Sequence, residues 1–173
     1  PLAPFERLQP GLVVVTLSTL RLAELGLDPQ WGVEQHFLRR LQPGQAVMEL
    51  ETAEQQVALL LEFPDADRLL AQSLQQLEQA DSVLEPLYSA WLAGDLEELD
   101  RLLLREERAA NPEFEPVYQR LYGQRNAAMA GRIEARLRGQ GDFFVVVGAG
   151  HLVGEQGIIR LLSKAGFHPL PLN

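Results

Sequence analysis

The chain has 173 residues, 46% of them hydrophobic, no cysteine and a formal charge of −9. That length and apolar content suffice for a core of its own, most simply as one domain over 1–173, while acidic residues spread along the chain argue against nucleic acid or an anionic membrane as the main partner. No apolar run approaches the roughly 20 residues that cross a bilayer, no secretory leader is evident, and disulfides and thiolate metal sites are excluded.

Because the chain starts at Pro1 rather than at methionine, it reads as a processed product or a piece of something longer. From Pro10 to Leu25 the leucines and valines suit a buried helix stopped by Gly26, although "GLVVVTL" also carries strand propensity. Asp28 with Pro29 opens a short helix in which Val33, Phe37 and Leu41 recur every four residues, ending at Pro43 and Gly44. "QAVMEL" (45–50) reads as a short strand. Thr52 and Gln55 fit a capping box for a helix running toward Glu62, which leaves Glu51 at the strand end.

From Phe63 to Ala110 the composition turns to Leu, Gln and Glu at helical spacing, broken by Pro64, Pro86 and Gly94. It predicts three short helices, the last capped by Asp95, forming a helical lobe. Asn111 and Pro112 open a long helix to about Arg138, with Phe114, Val117, Leu121, Met129, Ile133 and Leu137 as its buried stripe. The unbroken apolar run Phe143–Val147 then predicts a strand covered on both faces, as at the centre of a parallel sheet. Gly148 and Gly150 turn the backbone at its end and release His151, where open α/β sheets collect ligands. A helix over Glu155–Ala165 closed by Gly166, and a last edge strand in "FHPLPL", complete an α/β chain with a mixed or mostly parallel sheet flanked by helices.

The glycine loop could cradle phosphate, but "GAGHLVG" has its third glycine one position too late for a dinucleotide fingerprint and lacks the lysine of a Walker loop. His151 is either a hydrogen-bonded structural histidine or a ligand-facing one, and Glu51 either a carboxylate favouring a helix N-terminus or a crevice group. Helical spacing turns Arg125 and Asn126 inward; a buried arginine needs an acceptor, and Glu51 is the natural candidate. Arg132 and Arg136 lie near the same stripe and can snorkel, while His36 and His168 read as structural.

Four stretches, "GLDPQWGVEQHFLRR", "ELETAEQQ", "LYGQRNAAMAGRIEARL" and "VVVGAGHLVGEQGIIRLLSKAGFHPLPL", together resemble the TraB/GumN family, related to the Tiki proteins. The last is the most specific, with the family's second G-x-x-H motif as Gly148 to His151. Glu34 stands where an aspartate is usual, and Glu49 precedes "LET" where many relatives have glycine.

The resemblance implies an α/β fold shared with the erythromycin-esterase and ChaN-like proteins, and for the Tiki branch a metal-dependent peptidase chemistry. Glu51, Arg125, Asn126 and His151 match the family's polar crevice positions, with Glu51 and His151 as ligands of a divalent metal or activators of water. Arg125 and Asn126 then orient the carboxylate or stabilise an oxyanion. The family's opening strand and first G-x-x-H motif have no counterpart in residues 1–19, so the chain reads as the C-terminal two thirds of the family unit. It is then expected to bind metal weakly or not at all, to be inactive as this fragment, and to expose an unpaired sheet edge through which two copies could pair. The complete protein is expected in the periplasm or at the cell surface, acting on a peptide or protein. The alternative is a non-catalytic binding or assembly protein of an extracytoplasmic or polysaccharide-related pathway.

Overall fold

The computed structural model describes residues 5–62 and 66–172. The chain packs as two compact units, Pro1–Ser82 and Val83–Asn173. The first unit is built on α1 (Pro10–Glu24), which begins with proline at its first position, where a missing N–H costs nothing, and stops at Gly26 in the left-handed region (φ +82°). Asp28 accepts from the Gln30 N–H and starts a 3-10 turn, Pro29–Trp31, followed by α2 (Val33–Leu38). Next, α3 (Ala53–Leu61) begins at the expected capping box: Thr52 Oγ1 accepts from the Gln55 N–H (3.2 Å), and Gln55 Oε1 accepts from the Thr52 N–H (2.9 Å). Both α3 and α4 (Ala66–Glu78) pack against α1, whose Val13 is buried, and Arg21 of α1 bonds Glu24 and Asp81. The predicted break at Pro64 and the start of the lobe at Phe63 lie outside the described residues.

The boundary between the units falls inside α5 (Ala80–Ala93). Pro86 was expected to interrupt the chain here, yet the helix runs through it. Proline removes one backbone bond from a helix interior, and two residues just beyond it, Leu87 and Ala90, pack into the core with Leu99, Leu104 and Val153, which offsets that loss. Gly94 (φ +65°) ends α5. Asp95 then caps α6 (Leu96–Asp100) by accepting from the Glu98 N–H, as its position predicts. A five-residue π-helical segment, Arg101–Arg105, leads into α7 (Glu106–Ala110).

The long helix expected after Pro112 is present but interrupted. It is a 3-10 turn at Pro112–Phe114, α8 (Glu115–Tyr118), a second π segment at Gln119–Gly123, and α9 (Gln124–Leu137). Phe114, Val117, Met129 and Ile133 of the predicted stripe are buried, Leu121 is half-buried and Leu137 exposed; Arg132 and Arg136 are exposed. The terminal helix α10 (Ile158–Lys164) begins three residues later than expected, packs on α9, and is followed by Gly166 at φ +93°.

The α/β fold with a mixed or parallel sheet is overturned. Helix accounts for 67% of the structure and no strand or sheet forms among the described residues. Residues 45–50, 143–147 and 167–172 carry no helix and pair with no neighbouring strand. A strand exists only through the N–H and C=O groups of a partner, and apolar composition reports what a segment would bury beside one without supplying it. Nor is the 143–147 run covered on both faces: Phe143 and Val145 are exposed, and Phe144 is 71% exposed. No helix among the described residues is long and apolar enough to cross a membrane.

The reciprocal cap on α3 yields a direct test. Thr52→Ala should destabilise the first unit by about 1 kcal/mol, read as a lower denaturant midpoint at unchanged slope.

Candidate functional site

Asn126 is the centre of the second unit's polar chemistry. It lies in the first turn of α9 and is 1% exposed, the most deeply buried side chain among the described residues. Its Nδ2 donates to the Gln156 carbonyl at 2.8 Å, and its Oδ1 stands 2.6 Å from His151 Nδ1. A carbonyl can only accept, so the amide nitrogen must face Gln156 and the amide oxygen must face the histidine. That oxygen also only accepts, so Nδ1 carries the hydrogen and, in the neutral ring, the lone pair sits on Nε2. One amide therefore fixes both the orientation and the tautomer of His151.

His151 closes a 3-10 turn, Ala149–His151, that follows Gly148. Gly148 has an ordinary extended conformation (φ −60°, ψ 144°), and a Cβ there would only touch His151 Cδ2 at 3.8 Å. Gly150 is the position that needs glycine, since a Cβ would stand 2.9 Å from Tyr122 Cε1. The Tyr122 ring lies against His151, centroids 5.5 Å apart and tilted by 51°. Burial pushes the Tyr122 phenol pKa up, with Arg125 acting weakly in the other direction, and burial does the same at Tyr118, aided by Glu107.

Gln156 is tied in twice. Besides its carbonyl bond to Asn126, its side chain pairs reciprocally with Gln119, Nε2 to Oε1 at 3.0 Å in one direction and 3.2 Å in the other. Gln119 also donates to Glu115, which receives two bonds from Arg108. These contacts, the Gln119 bond foremost, hold the Glu115 carboxyl below the usual carboxylate range. The second π segment and α8 are thereby fastened to the loop that carries His151.

Beside this network opens a cleft of about 250 Å³. Its walls come from the first π segment and α7 (Leu104, Arg105, Arg108), from the second π segment and α9 (Tyr122, Asn126), and from the 153–156 loop. Single-turn π segments in α-helices recur at functional sites, because the extra residue re-aims the side chains around it. Both π segments found among the described residues contribute to this cleft.

The structure brings Asn126 and His151 into contact. Arg125 is half-buried beside them, and its Nη1 donates back to the Leu121 carbonyl at 3.0 Å. Glu51 is half-buried at the bend before α3 and belongs to the first unit, so the second unit supplies only His151 of the two metal ligands the resemblance implies. Among the described residues no three His, Asp or Glu side chains cluster closely enough to hold a metal ion. His36, edge-on to Phe37, and His168 are both exposed. Sequence reasoning missed Tyr122 and Gln156; the glycine at 150, just before the histidine, was the one available sign that something bulky presses on that loop.

Three comparisons place the chain among known proteins. The model of the TraB/PrgY/gumN family matches residues 1–170. The protein described as "Uncharacterized protein YbaP" from Escherichia coli (strain K12) is 31% identical over 152 residues, covering 87% of this chain and 54% of its own length; the protein of the same description from Shigella flexneri matches equally. The chain thus spans about half the length of these relatives. No solved structure matches.

Two outcomes follow from the geometry. Asn126→Ala strands the Gln156 carbonyl and frees the His151 ring, so it should cost roughly 3 kcal/mol and shift the histidine away from its Nδ1–H tautomer, read by urea unfolding and by nitrogen-15 NMR of the imidazole. The raised tyrosine values mean that the folded chain keeps phenolic protons that the unfolded chain sheds. Stability is therefore fully present below the ordinary value of 10.0 and falls as pH rises from there through the folded values, which urea unfolding between about pH 9 and about pH 11 will show.

Proposed function

The chain belongs to the TraB/PrgY/gumN family, and on that premise we propose that its second unit carries the base of a hydrolytic site acting on peptide bonds, in a protein that works outside the cytoplasm. The observation supporting this is the His151–Asn126 pair: a histidine whose Nδ1–H is committed to a buried amide presents the Nε2 lone pair in one fixed direction. A base so held removes a proton from water as the oxygen attacks an acyl carbon, and returns it to the leaving amine. An amide oxygen, unlike a carboxylate, orients the imidazole without adding a charge beside it.

Both ends of the Asn126 amide are occupied within the fold, so its role is to hold His151 rather than to bind a developing oxyanion. Were a metal bound, as the resemblance implies, His151 Nε2 is the atom of the second unit that would hold it, since Nδ1 is engaged by Asn126.

A second reading is favoured by a separate observation. Phe143, Phe144, Val145, Leu170 and Leu172 are exposed apolar residues, as a protein that binds a partner or a second copy of itself would present. His151→Ala separates the two readings. In the full-length protein, hydrolysis of a peptide library should fall by about 10²- to 10⁴-fold with the fold intact. Hydrolysis unaffected by the substitution would remove the catalytic reading and leave the binding one. Chelation of the wild type followed by zinc re-addition tests the metal: cleavage that survives chelation is the result expected of His151 as the base, and loss with recovery would give Nε2 to the metal instead.

A further inference from the structure

Leu87 and Ala90 turn α5 toward the core, yet a second face of the same helix is apolar and open. Tyr88, Trp91 and Leu92, at the spacing that puts side chains side by side on a helix, are 55%, 48% and 62% exposed. Leu96, just past the Gly94 turn, is exposed as well. The Tyr88 and Trp91 rings stack with centroids 6.2 Å apart and planes 25° from parallel. Core packing fixes the helix beneath them and each ring braces the other, so little side-chain freedom is left to lose on contact. Tryptophan and tyrosine placed in this way carry a large share of the binding energy at protein interfaces.

Charge decides what can sit there. Between Val83 and Asp100 the chain carries five acidic residues and neither lysine nor arginine. Glu98 and Asp100 are answered from beyond the segment, by Arg101 and Arg105. Glu85, one turn before Tyr88, and Glu97, next to Leu96, are exposed at the two ends of the apolar patch. A second copy of this chain, at a formal charge of −9, would set carboxylates against carboxylates, and a phosphate-bearing surface would be repelled in the same way. A segment in which lysines or arginines alternate with apolar residues meets both features. Its cations pair with the carboxylates or stand over the two rings, and its apolar side chains cover Leu92 and Leu96. We infer that this face of α5, with the start of α6, is a docking surface for a basic, apolar segment of a partner protein. It lies outside the His151–Asn126–Gln156 network and does not depend on the hydrolytic reading of that network.

The test follows, by fluorescence anisotropy on the 173-residue chain, two labelled amphipathic peptides of about 14 residues, one of leucine and lysine and the other of leucine and glutamate. The lysine peptide should bind with a Kd of about 10 to 100 μM, weakening as salt is raised, and the glutamate peptide should not bind. With Trp31→Phe leaving Trp91 as the one tryptophan, its emission should move to the blue in the complex. Tyr88→Ala with Trp91→Ala should weaken binding at least about tenfold, and Leu92→Gln, or Glu85→Gln with Glu97→Gln, about three- to fivefold. Glu34→Gln with Glu78→Gln removes the same charge elsewhere and should change affinity less than about twofold. All these positions are exposed, so each variant should keep its Tm within about 3 °C of the wild type. No binding of the lysine peptide, equal binding of both peptides, equal weakening by the control pair, or affinity indifferent to loss of the rings would overturn the inference. So would binding lost in the full-length protein, where its own chain would then cover the face, or a dimer in sedimentation that Leu92→Gln dissociates, which would give the face to a second copy.

Discussion

Burying a primary amide is costly unless all its strong hydrogen-bonding groups are met, and Asn126 meets that condition with two partners that are far apart in sequence. The Gln156 carbonyl takes the nitrogen and His151 takes the oxygen, so the loop from 148 to 157 can sit on α9 in one arrangement only. Low local dielectric strengthens both bonds and would penalise any alternative that left one open. The geometry of the imidazole is therefore a by-product of how the loop is anchored, and the chemistry proposed for it inherits the rigidity of the core.

The anchoring extends outward through partly buried side chains. Gln119 and Gln156 lock amide to amide, Gln119 reaches Glu115, and Glu115 holds Arg108 on the cleft wall. Arg108 also stands over the Tyr118 ring at 5.9 Å. The apolar cluster of Ala90, Leu99, Leu104 and Val153 fills the other side of the same loop. Polar contacts thus set the loop's orientation, while apolar contacts from α5, α6 and the first π segment set its depth.

What could be read from the sequence was local. The Thr52 capping box, the Asp95 cap and the proline start of α1 depend on a few adjacent residues, and they stand where the residues put them. Asn126 was turned inward by helical arithmetic alone. The sheet was not legible in the same way, because a strand is a relation between segments, and the apolar run 143–147 states only half of that relation. Tyr122 was hidden for a different reason. A regular helix counted from Phe114 puts Leu121 in the buried stripe, and the π segment at Gln119–Gly123 breaks that count just where the tyrosine lies.

A π turn is an α-helix with one residue too many, so the side chains beyond it are advanced by about 100° relative to those before it. In this chain the two halves of the long helix therefore run out of phase. Phe114 and Val117 face the core on one setting, and Asn126, Met129 and Ile133 on another. Removing any single residue from 119–123 would restore a regular pitch and swing Asn126 off the histidine without altering either. At this site the chain's length is as specific as its letters.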